Sequence, residues 1–246
     1  MKRIFKIICI VFFCTPCLCL IAQHSVITHT LTTCMNYYSS HPNLSFDMYY
    51  KMYDSHTSSK LIHQIDGAIK TSSGNVYVKM GGQLQILTSR YAIVTDEATK
   101  TMVVQERLAE QKSKTPLGID SLVGLFAETS VLAETDELIT LAFSKPKANF
   151  YTVSKFTVDI EKKSGKVKKA VLFYAFDLDD FYDEYETSTV PRIEILYENY
   201  MESFSAPEDM FSSASFFSLQ NEKIAPVKNY QNYRLIDLRS LAKNTY

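Results

Sequence analysis

Residues 43–54 read NLSFDMYYKMYD. Leu44, Phe46, Met48, Tyr50 and Met52 are large and apolar, and they alternate with Ser45, Asp47, Tyr49, Lys51 and Tyr53. Successive side chains of a strand point to opposite faces, so this period puts the first set on a face to be hidden and the second on a wet face edged with aromatics. The stretch therefore predicts a half-buried strand. It also sets the question for the rest of the chain, namely what covers the face that carries Phe46 and Met48.

Upstream, residues 25–40 place Ile27, Leu31, Cys34, Met35 and Tyr38 at helical spacing on one face, with Ser25 as a candidate N-cap. His41-Pro42 ends that helix, because the residue before a proline avoids the α region. Downstream, short apolar runs at 61–70, 76–80, 83–87, 91–96 and 101–105 are separated by turn residues such as Ser73-Gly74-Asn75 and Gly81-Gly82. With the opening stretch they make six strands at close intervals, which predicts an antiparallel meander, since parallel pairing would need crossovers between them.

Residues 106–115 are polar. Pro116 then opens a predicted mid-chain helix with Ile119, Leu122, Val123 and Phe126 as its apolar stripe. Strands follow at 137–143, at 150–160 and at 167–176, the last two joined by a turn around Ser164-Gly165. Further strands are predicted at 191–203 and 233–238, with a short element at 216–219. No repeat or clean boundary divides residues 23–246. The expectation is one mainly β domain of the α+β class: a large, strongly curved antiparallel sheet with an N-terminal and a mid-chain helix packed on it.

The composition agrees with a globular chain. Of its 246 residues 46% are hydrophobic and 22% charged, and Gly and Pro number only seven each, which excludes long linkers and disorder. There is no Trp but there are 16 Tyr and 15 Phe, and aromatics favour strands. Residues 1–22 combine a basic start (Lys2, Arg3, Lys6), an apolar run from Ile7 to Ile21 and the small residue Ala22. That is the pattern of a cleaved secretory signal peptide, and the run is short for a membrane span. A retained anchor and lipidation at Cys19 are the alternatives, the latter opposed by Pro16-Cys17-Leu18, which puts no small residue before the cysteine.

Export simplifies the cysteine arithmetic. Cys9, Cys14, Cys17 and Cys19 lie in the leader, so Cys34 alone remains and no internal disulfide can form. The leader carries three cations and no acid, so the formal charge goes from −1 for the whole chain to −4 for the remainder. A mildly acidic exported chain is a poor partner for nucleic acid.

No catalytic constellation is legible. The histidines at 24, 29, 41, 56 and 63 cluster early, but His24 and His29 are five apart, the wrong interval for one helix face. There is no G-x-S-x-G, H-E-x-x-H or phosphate loop. The acidic run 177–186 (DLDDFYDEYE) reads as a solvated connection, with Ca²⁺ binding or a catalytic carboxylate pair as sharper alternatives. Lys162, Lys163, Lys166, Lys168 and Lys169 make a basic hairpin, read as a solubilising tip, with an anionic or acidic partner as the alternative. No metal, cofactor or catalytic residue is expected.

The order of helix, aromatic-rich strand, meander, mid-chain helix and long hairpin resembles the LolA-like family of periplasmic lipoprotein carriers. The stretches that carry the resemblance are SFDMYYKMYD (45–54), NVYVKMG (75–81), YAIVTDEATKTMVV (91–104), FTVDIEKKSGKVKKAVLFY (156–174) and KNYQNYRLID (228–237). It implies a half-open barrel closed by helices on its concave side, located in the periplasm of a Gram-negative-type envelope. It also implies a non-enzymatic, monomeric carrier or binder of a lipid or of lipoprotein acyl chains. The cavity lining would be Leu44, Phe46, Met48, Tyr50, Met52, Ile65, Ile119, Leu122 and Phe126. The family's early-strand Arg, which governs release, has no counterpart here, since the first Arg after the leader is Arg90. Two readings stand beside the carrier. One is an envelope interaction or scaffold protein that uses the charged hairpin and acidic run. The other is a hydrolase built on two of the 177–186 acids.

Overall fold

A computed structural model of the chain describes residues 24–107, 123–147, 152–175 and 190–239. A helix, α1, spans residues 24–40 and stops before His41-Pro42, as the sequence predicts. The opening stretch is strand β1 (Ser45–Tyr53), and the meander continues through β2 (Leu61–Ser72), β3 (Asn75–Met80), β4 (Gln83–Leu87), β5 (Tyr91–Asp96) and β6 (Thr101–Glu106). All five successive pairings are antiparallel. A second meander follows: β7 (Phe126–Glu134), β8 (Leu138–Pro146), β9 (Val153–Glu161), β10 (Val167–Tyr174) and β11 (Arg192–Met201). A small hairpin of β12 (Phe217–Gln220) and β13 (Lys223–Pro226) precedes the last strand, β14 (Arg234–Asp237).

The two meanders join where β1 pairs antiparallel with β11, with Met48 opposite Tyr197 and Tyr50 opposite Ile195. This makes one twelve-stranded sheet in the order β14-β6-β5-β4-β3-β2-β1-β11-β10-β9-β8-β7. The stretch that opens the fold is thus a central strand.

Residues directly opposite across a ladder share a face. Phe46, Ile69 and Val78 line up in this way across β1, β2 and β3. They belong to a core that α1 covers with Ile27, Cys34, Tyr37 and Tyr38, and that runs on through Leu141, Phe143, Phe156 and Val158. Tyr77, Ile86, Ile93 and Val104 line up across β3 to β6, on the other face. They belong to a second core, covered by Phe216, Phe217, Tyr230 and Tyr233 of the C-terminal segment. The apolar side of the sheet therefore changes faces within β3, where Val78 serves one core and Tyr77 the other.

That switch corrects the expectation of a half-open barrel. A barrel lining keeps its apolar residues on one inner face throughout, whereas this sheet buries opposite faces in its two halves. It is also open, since β14 and β7 end the order and no ladder joins them. Nor is the sheet wholly antiparallel, because β14 pairs parallel with β6, Ile236 lying opposite Val103. A strand's period of two is the same in either direction. The direction is set by the path of residues 202–233, which cross the second core and reach the β6 edge from its Lys100 end, where the Arg234 amide donates to the Lys100 carbonyl at 2.7 Å.

The mid-chain helix is a further correction. Among the described residues only Val123 and Gly124 are helical there, and Ile119 and Leu122 lie outside them. Phe126, read as the last member of a helical stripe, instead begins β7, which pairs with β8. FAETSVLAE is rich in helix formers and its only large inward side chains are Phe126 and Val131, so local preference points to helix and the free ladder of β8 overrides it. Strand β13 was not foreseen either. The predicted leader and the acidic run 177–186 lie outside the described residues. Among those residues, no helix is long and apolar enough to cross a membrane.

The two cores give one stability prediction. Phe46 and Phe217 are each buried, on opposite faces. Each change to Ala should cost about 3–5 kcal/mol through lost burial and the cavity left behind. Because the sites share no core, the double variant should be additive to within about 0.5 kcal/mol in urea unfolding. Strong coupling between them would contradict the two-core description.

Candidate functional site

The candidate site is the seam between α1 and the sheet, and its two ends differ. At the C-terminal end of α1 the seam is tied shut. Val167 donates its amide to the Tyr38 hydroxyl at 3.3 Å, and the Tyr38 and Tyr200 hydroxyls are 3.0 Å apart. Tyr200 donates to the Val167 carbonyl at 2.6 Å. Since each hydroxyl has one proton, Tyr38 must donate to Tyr200, and the three bonds form a closed circuit. Burial pushes both phenols well above the ordinary tyrosine range, Tyr200 further through the neighbouring Tyr38, so the circuit keeps its protons.

A polar latch flanks this circuit. Lys166 reaches Glu202 at 2.8 Å, and Tyr37 donates to the same carboxylate at 3.3 Å. The Lys166 ammonium also lies 5.6 Å from the centroids of both the Tyr37 and Tyr200 rings. His41 is 2.7 Å from the Tyr37 carbonyl through Nδ1, and its Nε2 is 3.9 Å from Glu202. The β9–β10 turn presses on the helix itself. Gly165 has φ +83°, and a Cβ there would sit 2.6 Å from the Thr33 carbonyl oxygen, so the turn needs both the left-handed conformation and the missing side chain.

At the N-terminal half of α1 the seam opens into a groove of about 300 Å³. Val26, His29, Thr30 and Thr33 form its helix side, Ile139 and Ile160 its floor, and Glu134, Glu161 and Lys162 its rim. A wider surface depression of about 750 Å³ adjoins it, lined by Asp136, Glu137, Glu161, Lys162, Lys163 and Ser164. Glu161 and Lys162 belong to both.

The predicted lining residues divide. Leu44, Phe46, Met48 and Phe126 come together in the α1-covered core with Cys34, Tyr37 and Tyr38. Met52 is buried but outside that cluster, while Tyr50 and Ile65, which lie opposite each other, are half-buried. The space next to Met48 is filled by side chains, and the groove lies farther along the helix. Sequence reading missed Val26, Ile139 and Ile160 as groove residues, and Glu202 and Tyr200 as latch residues. The one available signal was the helical stripe that already held Ile27 and Tyr38. Nothing local pairs residue 37 with residue 202.

The basic hairpin is largely neutralised within the fold. Lys162 pairs with Glu134 at 2.6 Å, Lys168 with Glu161 at 3.7 Å and Lys169 with Glu194 at 2.8 Å, in addition to the Lys166–Glu202 pair. Burial of Glu194 acts to raise its carboxyl, but the bonds from Lys169 and Arg192 outweigh this and leave it below the ordinary range. The histidines are exposed or packed: His56 bonds the Tyr174 carbonyl at 3.0 Å and stands edge-on to Phe173. Burial pushes the Cys34 thiol up to about 12, so it is a packed apolar group and not a thiolate nucleophile. Among the described residues no group of three or more His, Cys, Asp or Glu could hold a metal ion.

No protein-family model matches the sequence, and no curated protein sequence matches it. Comparison with solved structures finds partial likenesses. An uncharacterised conserved protein from Thermus thermophilus is 6% identical, with 84% of this chain and 98% of that one covered and a TM-score of 0.46. A LolA superfamily protein from Nitrosomonas europaea is 9% identical, with 75% and 98% covered and a TM-score of 0.34. MucB in its complex with MucA from Pseudomonas aeruginosa is 15% identical, with 79% and 62% covered and a TM-score of 0.34. At these values the likenesses assign no residue a role.

The latch and circuit yield two predictions. Tyr38→Phe removes one hydroxyl and leaves the Val167 amide and the Tyr200 oxygen short of a partner, which should cost about 1–3 kcal/mol in chemical unfolding. The Glu202 carboxyl lies below its ordinary range, first through its hydrogen bond from Lys166 and then through that residue's charge. A carboxylate lowered on folding adds stability above its unfolded pKa and loses it as pH falls through the folded value. The melting-temperature gap between wild type and Glu202→Gln should therefore shrink as pH is taken down through the carboxylate range. A gap that stays constant with pH would remove the latch from the account.

Proposed function

We propose that this protein is a non-enzymatic binder or carrier of a lipid or lipoprotein acyl chain in the cell envelope, with the chain held between α1 and the sheet. The observation that carries this reading is the asymmetry of the seam. One end of α1 is tied down by the tyrosine circuit and the Glu202 latch, while the other stands over a groove of about 300 Å³ with Ile139 and Ile160 beneath it. That volume is at the lower limit of small-molecule sites, which run from about 300 to 1,000 Å³.

As the free half of α1 lifts, an acyl chain enters over Ile139 and Ile160, which are buried beneath it, and extends toward Phe126 and Met48, while Leu44 and Phe46, the latter stacked on Tyr200, stay packed under the fastened end. Met48 and Met52 suit a lining that must repack, because an unbranched thioether adapts to irregular neighbours. The half-buried Tyr50 and Ile65 mark the far side of the same face. The basic and apolar start of residues 1–22 fits export to the periplasm, where a carrier of acyl chains would work. The competing reading, a scaffold that contacts partners through the lysine hairpin, is weakened because four of the five lysines already pair within the fold.

The test is binding of the neutral fluorescent reporter N-phenyl-1-naphthylamine together with native mass spectrometry of gently purified protein. Wild type should bind the reporter and carry co-purified lipid. Val26→Trp fills the groove from an exposed helix position, and should abolish reporter binding without lowering the melting temperature. Absence of both reporter binding and lipid in the wild type would refute the carrier reading.

A further inference from the structure

The apolar groove opens onto a charged rim, and the charges there are unequal. Glu134 is taken by Lys162 at 2.6 Å. Glu161 is held below the ordinary carboxylate range, first by the hydroxyl of Ser164 and then by Lys168 and Lys166, with Lys168 3.7 Å away. Asp136 and Glu137 are different. They occupy the tip of the β7–β8 turn, closed by the Thr135 amide on the Leu138 carbonyl at 2.8 Å and by the Leu138 amide on the Thr135 hydroxyl at 3.0 Å. Among the described residues neither carboxylate makes an ion pair. The turn is fixed against the neighbouring hairpin, because the Lys162 amide donates to the Glu137 carbonyl at 2.9 Å. Against these two anions the depression offers one cation without an ion pair among the described residues, Lys163.

We infer that the groove and its rim form one amphiphile site, selective for a single alkyl chain whose head group carries a positively charged nitrogen. The inference rests on the acyl-chain reading above and adds the head group to it. Ile139 and Ile160 are buried beneath the groove, and the chain reaches them as the free half of α1 lifts. The head group emerges past the Glu161–Lys162 boundary and meets Asp136 and Glu137. An anionic head group would be placed beside two carboxylates that make no ion pair among the described residues, against the single Lys163. A zwitterionic head group is accepted through Lys163 for its anion and the two acids for its cation. These carboxylates are exposed, so each contributes modestly and in a salt-dependent way.

The test is displacement of N-phenyl-1-naphthylamine by three twelve-carbon amphiphiles below their micelle concentrations. They are dodecyltrimethylammonium, dodecylphosphocholine and dodecyl sulfate, used at low and high salt. The cationic compound should displace best, the zwitterionic one next, and dodecyl sulfate about five- to tenfold less well, with the spread narrowing at high salt. The double variant Asp136→Lys/Glu137→Lys should reverse the order, and the milder Asp136→Asn/Glu137→Gln should flatten it if the reversal fails to fold. Equal displacement by all three, a preference for dodecyl sulfate, or an order unchanged in the neutralised variant would overturn the head-group assignment while leaving the groove as a binding site. If the reporter does not bind wild type and no amphiphile binds directly by calorimetry, the carrier reading falls and this inference with it.

Discussion

The ladder between β1 and β11 is the interaction on which the rest of the structure depends. It brings together strands from opposite ends of the chain, and without it the chain would be two separate meanders, each with an apolar face it could not cover alone. Met48 opposite Tyr197 continues the first core across the junction, and Met52 opposite Ile193 is buried beyond it on the same face. Every other ladder between β1 and β11 is a local hairpin or a near neighbour, so the long-range ordering cost falls on this pairing and on the shorter β14–β6 ladder. The pairing is favoured because it buries a row of large side chains on the α1 side, each worth about 1.5–3 kcal/mol.

Joining the meanders creates a sheet too wide for one cover. Helix α1 spans only the half around β1 and β8–β11, and the C-terminal segment takes the opposite face of β3–β6. The change of faces inside β3 follows directly, since Tyr77 and Val78 are neighbours on opposite sides. Free edges remain at β7 and β14, and both are guarded. β7 carries a register shift between Val131 and Ala133 and the charges of Glu128 and Glu134, while β14 has only four residues.

The site is a consequence of how α1 is fastened. Its fixed end uses a tyrosine circuit that must stay protonated, and a glycine turn that tolerates no side chain presses on the middle of the helix at Thr33 and Cys34. Its other half rests on Ile139 and Ile160, with fewer polar ties to the sheet among the described residues. Elements that move in binding are drawn from the less constrained parts of a fold, and the proposed groove lies at that part, beside Asp136 and Glu137, which make no ion pair among the described residues. The lysine hairpin, which looks like a recognition surface in the sequence, is mostly consumed in ion pairs with acids on or beside the strands.

Much of the local structure was legible in the sequence, because periodicity is local. The alternation in NLSFDMYYKMYD determined a half-buried strand, the stripe from Ile27 to Tyr38 determined the helix and its buried face, and Ser164-Gly165 determined the long hairpin. Leu44, Phe46 and Met48 could be placed on a hidden face for the same reason. Three things only the tertiary structure decided. Phe126 became the start of a strand because β8 offered a ladder to FAETSVLAE, against its helical composition. β14 became a parallel strand because the path of residues 202–233 fixed its direction, which a period of two does not encode. The groove fell beside Val26 and Ile160 and not over Met48, because Met48 is packed into the α1-covered core opposite Tyr197 while Tyr200 and Glu202 arrive from the far end of the chain to fasten Tyr38 and Tyr37, and contacts between residues so distant in sequence leave no local pattern to read.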